Sequence, residues 1–297
     1  MLRLPTFTYR QPTTLREALA MKADAGPEGS YVAGGTDLYP NMKRRQQEPR
    51  TVISLMGIPE MAGTRNALKD SLTVAGRGTE VGANVTLSVL SAHPAVRPTA
   101  CHAVAEAAAL VSTPLLRNMG TLGGNLCIDT RCNYYDQSYE WRKAIDFCMK
   151  KDGAICWVAP SSPRCWAVSS SDIAPVMVAI GAEYVLTSAA DERVVPAARF
   201  YHNDGIDYLT KQPDEILTAV RLPAPDGWDA VYHKLRRRGS FDFPVLGVAA
   251  WVRWDGRKVA DARVVLGGVA SYPLEILEAA TALRGSALEP EAVAAAA

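Results

Sequence analysis

The chain has 297 residues, 48% of them hydrophobic and 21% charged, and its 32 basic and 31 acidic residues leave a formal charge of +1. This composition is that of a globular protein, and the near-zero charge argues against a nucleic-acid partner or an anionic membrane surface. No uncharged apolar run reaches the ~18 residues of a membrane span, and the N-terminus lacks a signal-peptide core. We therefore expect a cytoplasmic protein of two or three domains.

The first 55 residues carry the pattern of a compact β-α-β unit. A helix is predicted over 14–24, a strand over 30–33, and a second strand over 51–55. Between these strands, the glycine-rich sequence 34–38 opens a polar helix. A glycine pair in this position lets a phosphate approach backbone N–H groups, and it is also the pattern of a tight strand-to-helix turn.

A second glycine-rich loop covers residues 120–125, about 90 residues further along the chain. The two loops match neither a dinucleotide fingerprint nor a phosphate-binding loop motif, but two such half-sites can clamp one diphosphate between them. The remaining predicted elements are a strand over 72–75, helices over 100–110 and 173–180, and strands over 182–187, 245–252 and 263–266. The sequence 222–227 is predicted to be a domain boundary, and the fold class is α+β.

The cysteines are unevenly distributed, because five of the six lie within 39 residues. They are Cys127, Cys132, Cys148, Cys156 and Cys165. Without a secretory signal, this pattern favours metal ligation over disulfides.

Three states of these thiols stay open on spacing alone: a zinc site, an iron–sulfur cluster, or buried thiols. Zinc sites recruit closely spaced cysteine pairs, and the one close pair here is Cys127 and Cys132. The later spacings of 16, 8 and 9 residues suit a larger [4Fe–4S] cluster, which needs four thiolates. We expect the aromatic residues of this segment, Trp141, Phe147, Trp157 and Trp166, to exclude water from such a cluster.

Four motifs in order resemble the FAD-binding medium subunits of the molybdenum hydroxylases, the family of the xanthine dehydrogenase and carbon monoxide dehydrogenase flavoproteins. They are Val32–Leu38, Arg117–Leu126, Ser171–Pro175, and Leu266–Val269 with Pro273. The resemblance covers nearly the whole chain. It implies a two-part FAD domain followed by a C-terminal α+β domain. The implied divisions are 1–56, 57–222 and 223–297.

The resemblance also implies which residues contact FAD. The two glycine-rich loops hold its diphosphate, an Asp of the Ser-Asp motif binds its ribitol or ribose region, and a basic residue lies near the start of the third domain. The positions that follow are Tyr31, Val32, Ala33, Gly34, Gly35, Thr36, Asp37, Leu38, Gly120, Thr121, Gly123, Gly124, Asn125, Asp172 and Lys234. No side chain here is expected to act as a catalytic acid or base.

The chain departs from the common family pattern in one segment, because 46 residues separate Asn125 from Asp172. The insertion over 127–169 resembles that of the β subunits of 4-hydroxybenzoyl-CoA reductases, which carry an extra [4Fe–4S] cluster. The implied ligands are Cys132, Cys148, Cys156 and Cys165. Cys127 is left over and is predicted to be a buried thiol.

The implied function is electron transfer in a molybdenum-dependent oxidoreductase. We expect a heterotrimer, itself dimerised, with a small [2Fe–2S] subunit and a large molybdopterin subunit. Electrons would pass from a ferredoxin through the cluster and FAD toward molybdenum, for reductive dehydroxylation. The ferredoxin would dock on a positive face made by Lys143, Lys150, Lys151 and Arg164. The alternatives are an aldehyde or purine dehydrogenase subunit that passes electrons outward, and a zinc-stabilised nucleotide-binding protein.

Overall fold

The structure is a computed structural model that describes residues 2–61, 74–75, 78–93, 96, 102–224 and 227–297. Strands and helices are mixed along the whole of the described chain, as the predicted α+β class requires. Cys101 and the first two residues of the strand predicted over 72–75 lie outside the described residues. No helix in the described ranges is long and apolar enough to cross a membrane.

The N-terminal stretch forms the predicted β-α-β unit. Its elements are β1 (Thr8–Arg10), α1 (Leu15–Ala25), β2 (Gly29–Val32), α2 (Leu38–Lys43) and β3 (Thr51–Ser54). Helix α1 begins where its cap predicts, because the Thr14 hydroxyl accepts a hydrogen bond from the Glu17 backbone N–H. The three strands are parallel, in the order β1-β3-β2. The loop between β2 and α2 therefore leaves the sheet at the carboxyl end of β2.

A second sheet has the order β4-β5-β8-β6-β7 and is antiparallel. Its strands are β4 (Val74–Ala75), β5 (Gly78–Gly82), β6 (Glu183–Thr187), β7 (Glu192–Pro196) and β8 (Ile216–Pro223). Among the described residues, six helices lie between β5 and β6 in the chain: α3 (Leu87–Ala92), α4 (His102–Leu110), α5 (Pro114–Arg117), α6 (Leu122–Leu126), α7 (Tyr139–Ala144) and α8 (Ile173–Ile180).

The C-terminal stretch forms a third, antiparallel sheet in the order β12-β11-β10-β9. Its elements are β9 (Trp228–Leu235), β10 (Leu246–Asp255), β11 (Lys258–Gly267), β12 (Leu274–Glu275), α9 (Leu277–Leu283) and α10 (Pro290–Ala296). The three sheets occupy successive stretches of the chain. This order supports the division at residues 56 and 222, which stays a prediction.

Helix α8 lies at the centre of the core. All eight of its residues are buried, as expected for a helix that is apolar on every side. It packs against α4 and α6 and against strands β10 and β11, so it joins the middle sheet to the C-terminal sheet. Gly181 ends the helix in the left-handed conformation, with a φ of 73°. Asp172, at the other end of α8, is thereby fixed between the two sheets.

Candidate functional site

The first glycine-rich loop turns sharply between β2 and α2. Gly35 has a φ of +70°, and a Cβ there would lie 2.3 Å from the Tyr39 ring, so only glycine fits this turn without strain. The backbone N–H groups of residues 34–37 donate no hydrogen bond to any acceptor in the described ranges. Consecutive unpaired N–H groups of this kind form a concavity suited to an anion.

The second glycine-rich loop enters α6 through a capped turn. The Thr121 hydroxyl accepts a hydrogen bond from the Gly124 backbone N–H at 3.1 Å. A Cβ on Gly123 would lie 2.8 Å from Ala83 Cβ, so this glycine allows α6 to pack closely beside the end of β5. Asn125 is buried, and its side-chain oxygen accepts from the Ser171 hydroxyl at 2.7 Å. The loop is thus joined directly to the residue before Asp172.

The two glycine-rich loops meet, although they are far apart in the chain. A Cβ on Gly34 would lie 1.8 Å from the Met119 carbonyl oxygen and 3.1 Å from the Gly120 nitrogen. A Cβ on Gly120 would lie 3.6 Å from the Thr36 hydroxyl oxygen. We refer to this contact between residues 33–37 and 119–124 as the loop crossing. The structure therefore brings together the two predicted half-sites.

Contacts at the loop crossing give a second reason why these positions are occupied by glycine. Sequence reasoning assigned Gly34, Gly35, Gly123 and Gly124 to close approach of a diphosphate. In the structure, each position is already crowded by another part of the chain: the Met119 backbone, or the side chains of Tyr39, Ala83 and Thr121. Packing alone therefore requires small residues here.

Asp172 and Lys234, predicted separately, form a buried ion pair. The Lys234 ammonium donates to Asp172 Oδ2 at 2.8 Å and to the Leu110 carbonyl at 3.1 Å. Tyr232 donates to Asp172 Oδ1 at 2.8 Å. Burial raises the pKa of the Asp172 carboxyl, and its bonds to Lys234 and Tyr232 oppose that shift.

Both Asp172 oxygens are therefore engaged by the chain itself, which the predicted bond to an FAD hydroxyl did not anticipate. Sequence reasoning also missed Tyr232. Its position two residues before Lys234 on β9 places both side chains on one face of the strand.

A separate cavity lies within the inserted segment. It contains roughly 230 Å³ of space outside protein atoms, part of which is open to solvent, and all four predicted ligand cysteines line it. They are Cys132, Cys148, Cys156 and Cys165. Three of them are buried, while Cys132 is partly exposed.

Hydrogen bonds and burial shape the sulfur environment of the cavity. Cys165 Sγ accepts from the Ala167 backbone N–H at 3.4 Å. Burial raises the pKa of the Cys165 thiol to about 11, opposed by that N–H group and by the charge of Lys150. Burial likewise raises the pKa of Cys132, and the N–H groups of Tyr134 and Tyr135 oppose the shift. Backbone donors aimed at sulfur are the contacts that stabilise thiolates in a metal cluster.

The cysteines surround a space instead of converging on a point. In the described ranges, no three His, Cys, Asp or Glu side chains are grouped so as to hold one metal ion. A tetrahedral zinc site needs four ligand atoms about 2.0–2.3 Å from one centre. Four thiols are the ligand number that a [4Fe–4S] cluster requires, and a cluster at this cavity stays a prediction.

Cys127 lies apart from the cavity lining. It packs against the main hydrophobic core, close to Tyr184 and Tyr201. Burial raises the pKa of its thiol to about 11. The structure thus places it as a thiol of the core, and no disulfide forms among the five described cysteines.

The inserted segment is fastened to helix α2. Arg131, next to Cys132, forms ion pairs with Asp37 and Asp136 and donates to the Asn41 side chain at 3.0 Å. The buried Arg142 guanidinium donates to the carbonyls of residues 44 and 45, just beyond the end of α2, at 2.7 and 3.0 Å. Arg131 therefore joins the inserted segment to the end of the first glycine-rich loop.

The predicted positive docking face is wrong in one residue. The Lys150 side chain is only 6% exposed and pairs with Asp129. Lys151 pairs with Asp152 at 3.3 Å, and the Arg164 guanidinium stacks over Trp166 at 3.6 Å.

The aromatic residues that were expected to exclude water from a cluster lie only partly at the cavity. Trp157 lines the cavity, whereas Trp141 and Trp166 are 40% and 44% exposed. Both deviations have the same cause: charged and aromatic residues mixed in an irregular segment give no periodic signal of which side faces the interior.

Comparison with known families identifies the class of protein, a flavoprotein subunit. The FAD binding domain in molybdopterin dehydrogenase matches residues 5–225, and the CO dehydrogenase flavoprotein C-terminal domain matches residues 230–297. The chain belongs to the FAD-binding medium subunits of the molybdenum hydroxylase family.

Individual relatives match over nearly the whole chain. The aldehyde oxidoreductase FAD-binding subunit PaoB of Escherichia coli (strain K12) is 35% identical, over 94% of this chain and 86% of its own. The carbon monoxide dehydrogenase medium chain of Afipia carboxidovorans is 28% identical, over 97% and 83%. A solved carbon monoxide dehydrogenase from Hydrogenophaga pseudoflava, which lacks the Mo-pyranopterin moiety of the molybdenum cofactor, aligns with a TM-score of 0.77 and 28% identity, over 99% of this chain and 85% of that one.

Proposed function

We propose that this chain is an electron-transfer subunit that binds FAD at the loop crossing and a [4Fe–4S] cluster in the cysteine cavity. When bound, FAD exchanges electron pairs and a cluster exchanges single electrons, so the subunit would connect the two kinds of carrier. The observation that carries the cluster proposal is that four cysteines from one inserted segment line a single cavity. Family membership favours this redox role over a zinc-stabilised nucleotide-binding protein.

The chain's own residues provide the FAD site mainly through the backbone. The unpaired N–H groups of residues 34–37 suit the negative charge of a diphosphate. Gly120, Thr121 and Asn125 complete the facing wall. The buried Ser170 hydroxyl, which has no partner in the described ranges, is a further donor, and it is next in sequence to Ser171, whose hydroxyl donates to Asn125. The ion pair between Asp172 and Lys234 holds the near end of α8 in place.

The chain is proposed to act beside other subunits. The relatives are named as a medium chain or an FAD-binding subunit, which are names for parts of larger enzymes. We propose a large molybdopterin subunit and a small [2Fe–2S] subunit as its partners, in a dimerised heterotrimer. Substrate chemistry would then take place in the large subunit.

Two reaction directions remain candidates. The cysteine cavity supports reductive dehydroxylation of the 4-hydroxybenzoyl-CoA reductase type, in which a ferredoxin supplies electrons through an additional cluster. The 35% identity to an aldehyde oxidoreductase subunit favours the second candidate, a dehydrogenase that passes electrons outward. Redox titration of the assembled enzyme separates them, because a cluster potential well above that of the flavin would rule out inward flow.

Cofactor analysis of protein purified without oxygen tests the cofactor proposal. We expect one FAD and about four irons per chain, and a visible absorption spectrum that contains the bands of both cofactors. A Gly124→Val variant should lose FAD while keeping its iron and its helical content, because the new side chain would crowd the Thr121 cap. Zinc in place of iron would overturn the cluster, and full FAD occupancy in Gly124→Val would overturn the loop assignment.

A further inference from the structure

Lys150 is a buried cation at the wall of the cysteine cavity. Its side chain is 6% exposed, whereas that of the neighbouring Lys151 is 30% exposed. Its ammonium donates to Asp129 Oδ1 at 2.8 Å, to the Thr130 hydroxyl at 2.8 Å and to the Gly205 carbonyl. These three acceptors use all three ammonium hydrogens, so the group is held in one position.

Two partners of this ammonium lie in the segment that carries Cys132, and the third, Gly205, contacts Cys165. The carboxylate and hydroxyl partners lie within three residues of Cys132, and the lysine itself follows Cys148 by two positions. Gly205 donates its backbone N–H to the Cys165 carbonyl at 2.9 Å, and a Cβ there would lie 2.7 Å from Cys165 Sγ. One side chain therefore fastens together three of the four segments around the cavity.

The two members of this ion pair lie differently relative to the cavity. Lys150 lines the cavity, and Asp129 is not among the lining residues. Asp129 is 6% exposed and accepts further bonds from Gln47 and from Tyr135, which itself lines the cavity, each at 3.3 Å. The ion pair is neutral as a whole, and its positively charged member is the one that lines the cavity.

From this geometry we infer that Lys150 is a positioning residue for the cluster: it holds three cysteine segments in register and stabilises the reduced cluster through its charge. The inference depends on the proposed cluster. Four thiolates around an iron–sulfur core make an anion, and reduction adds one more negative charge. A cation fixed beside it in a buried environment favours the reduced form, whereas the carboxylate behind it weakens that effect.

The test compares Lys150→Met, Asp129→Asn and the matched control Lys151→Met in the full chain. Two quantities are measured: iron retained against a chelator, and the cluster midpoint potential by electron paramagnetic resonance during a redox titration. We expect Lys150→Met to retain iron about 10- to 100-fold less well, as for other residues that support metal ligands. Its remaining cluster should have a more negative potential, Asp129→Asn a more positive one, and Lys151→Met neither change. Lys150→Arg keeps the positive charge but changes the shape of the side chain. It should therefore bring the cluster potential closer to the wild-type value than the iron retention.

The opposite signs distinguish this role from a merely structural one. Loss of packing would lower iron retention in both variants without moving their potentials in opposite directions. If Lys150→Met does not fold, Asp129→Asn decides alone, because an unchanged or lowered potential there overturns the inference. Wild-type protein without a cluster overturns the proposed cluster and this inference together, whereas a wild-type cluster with unshifted variants overturns only the role of Lys150.

Discussion

The loop crossing and the cysteine cavity are built in opposite ways. The crossing joins residues far apart in the chain, and the Gly34 backbone lies so close to Met119 that no side chain fits between them. The cavity is formed within one inserted segment, and buried polar side chains such as Lys150 and Arg131 hold it in place. The first site should therefore fail when an atom is added, and the second when a ligand or a charge is removed.

The largest expected effect is on the cavity. Replacing Cys165 with Ser removes one of four thiolates and should cost the whole cluster, about four irons per chain. FAD content should stay unchanged, because the crossing uses none of the cysteines. Cys127→Ser is the matched control and should keep its iron, and metal analysis with flavin absorbance reads both. If Cys127→Ser lost iron and Cys165→Ser kept it, the ligand assignment would be wrong.

The second effect is on the ion pair behind the crossing. Asp172→Ala leaves the buried Lys234 ammonium without its carboxylate, which should cost about 3–5 kcal/mol of unfolding free energy. The double variant Asp172→Ala/Lys234→Met should recover much of this loss, since no unpaired charge remains. Urea unfolding measures all three proteins. Equal stability of the single and double variants would contradict this expectation, because the leftover Lys234 ammonium would then carry no penalty.

The third prediction concerns a substitution that disrupts the loop crossing by adding one carbon atom. Gly34→Ala places a Cβ 1.8 Å from the Met119 carbonyl oxygen, so the backbone must move. We expect a loss of about 1–3 kcal/mol in unfolding free energy, together with weaker FAD binding and unchanged iron. Gly239→Ala is the control, because a Cβ there would meet nothing within 4 Å. Wild-type FAD affinity in Gly34→Ala would separate flavin binding from the crossing.

The smallest effect concerns the thiol that belongs to neither site. With a pKa of about 11, Cys127 should be thiolate in only about one molecule in a thousand at pH 8. Its alkylation by iodoacetamide in the loaded protein should be slow and should speed up about tenfold per pH unit up to pH 11. Peptide mapping by mass spectrometry follows the rate. Rapid modification at pH 8 would contradict the buried position.

Much of the fold could be predicted because its signals are local. The cap at Thr14, the apolar run of α8 and the β-α-β pattern each lie within a few residues, and the structure confirms them. The pairing of the three sheets' strands was not predictable, because β5 and β8 meet across more than 130 residues of chain.

For the candidate site too, the sequence predicted the residues but not the contacts between them. Glycine pairs and cysteine spacing identified the residues of both regions, but the contacts between them depend on the tertiary fold. No sequence pattern shows that Arg131 reaches Asp37, or that Asp172 pairs with Lys234. Lys150 and Lys151 look alike as adjacent basic residues, yet one is buried and the other is at the surface. A long flexible side chain can adopt either position, so the sequence does not decide between them.

The contact between Gly34 and Met119 also has a consequence during synthesis of the protein. The first β-α-β unit leaves the ribosome long before the residues that complete the second wall of the proposed FAD site. At about 5–20 residues per second, the early unit waits for several seconds with its anion-binding backbone uncovered. Stable capture of a flavin therefore has to follow translation of at least the first 125 residues, and a chain truncated before that point should emerge without its cofactor.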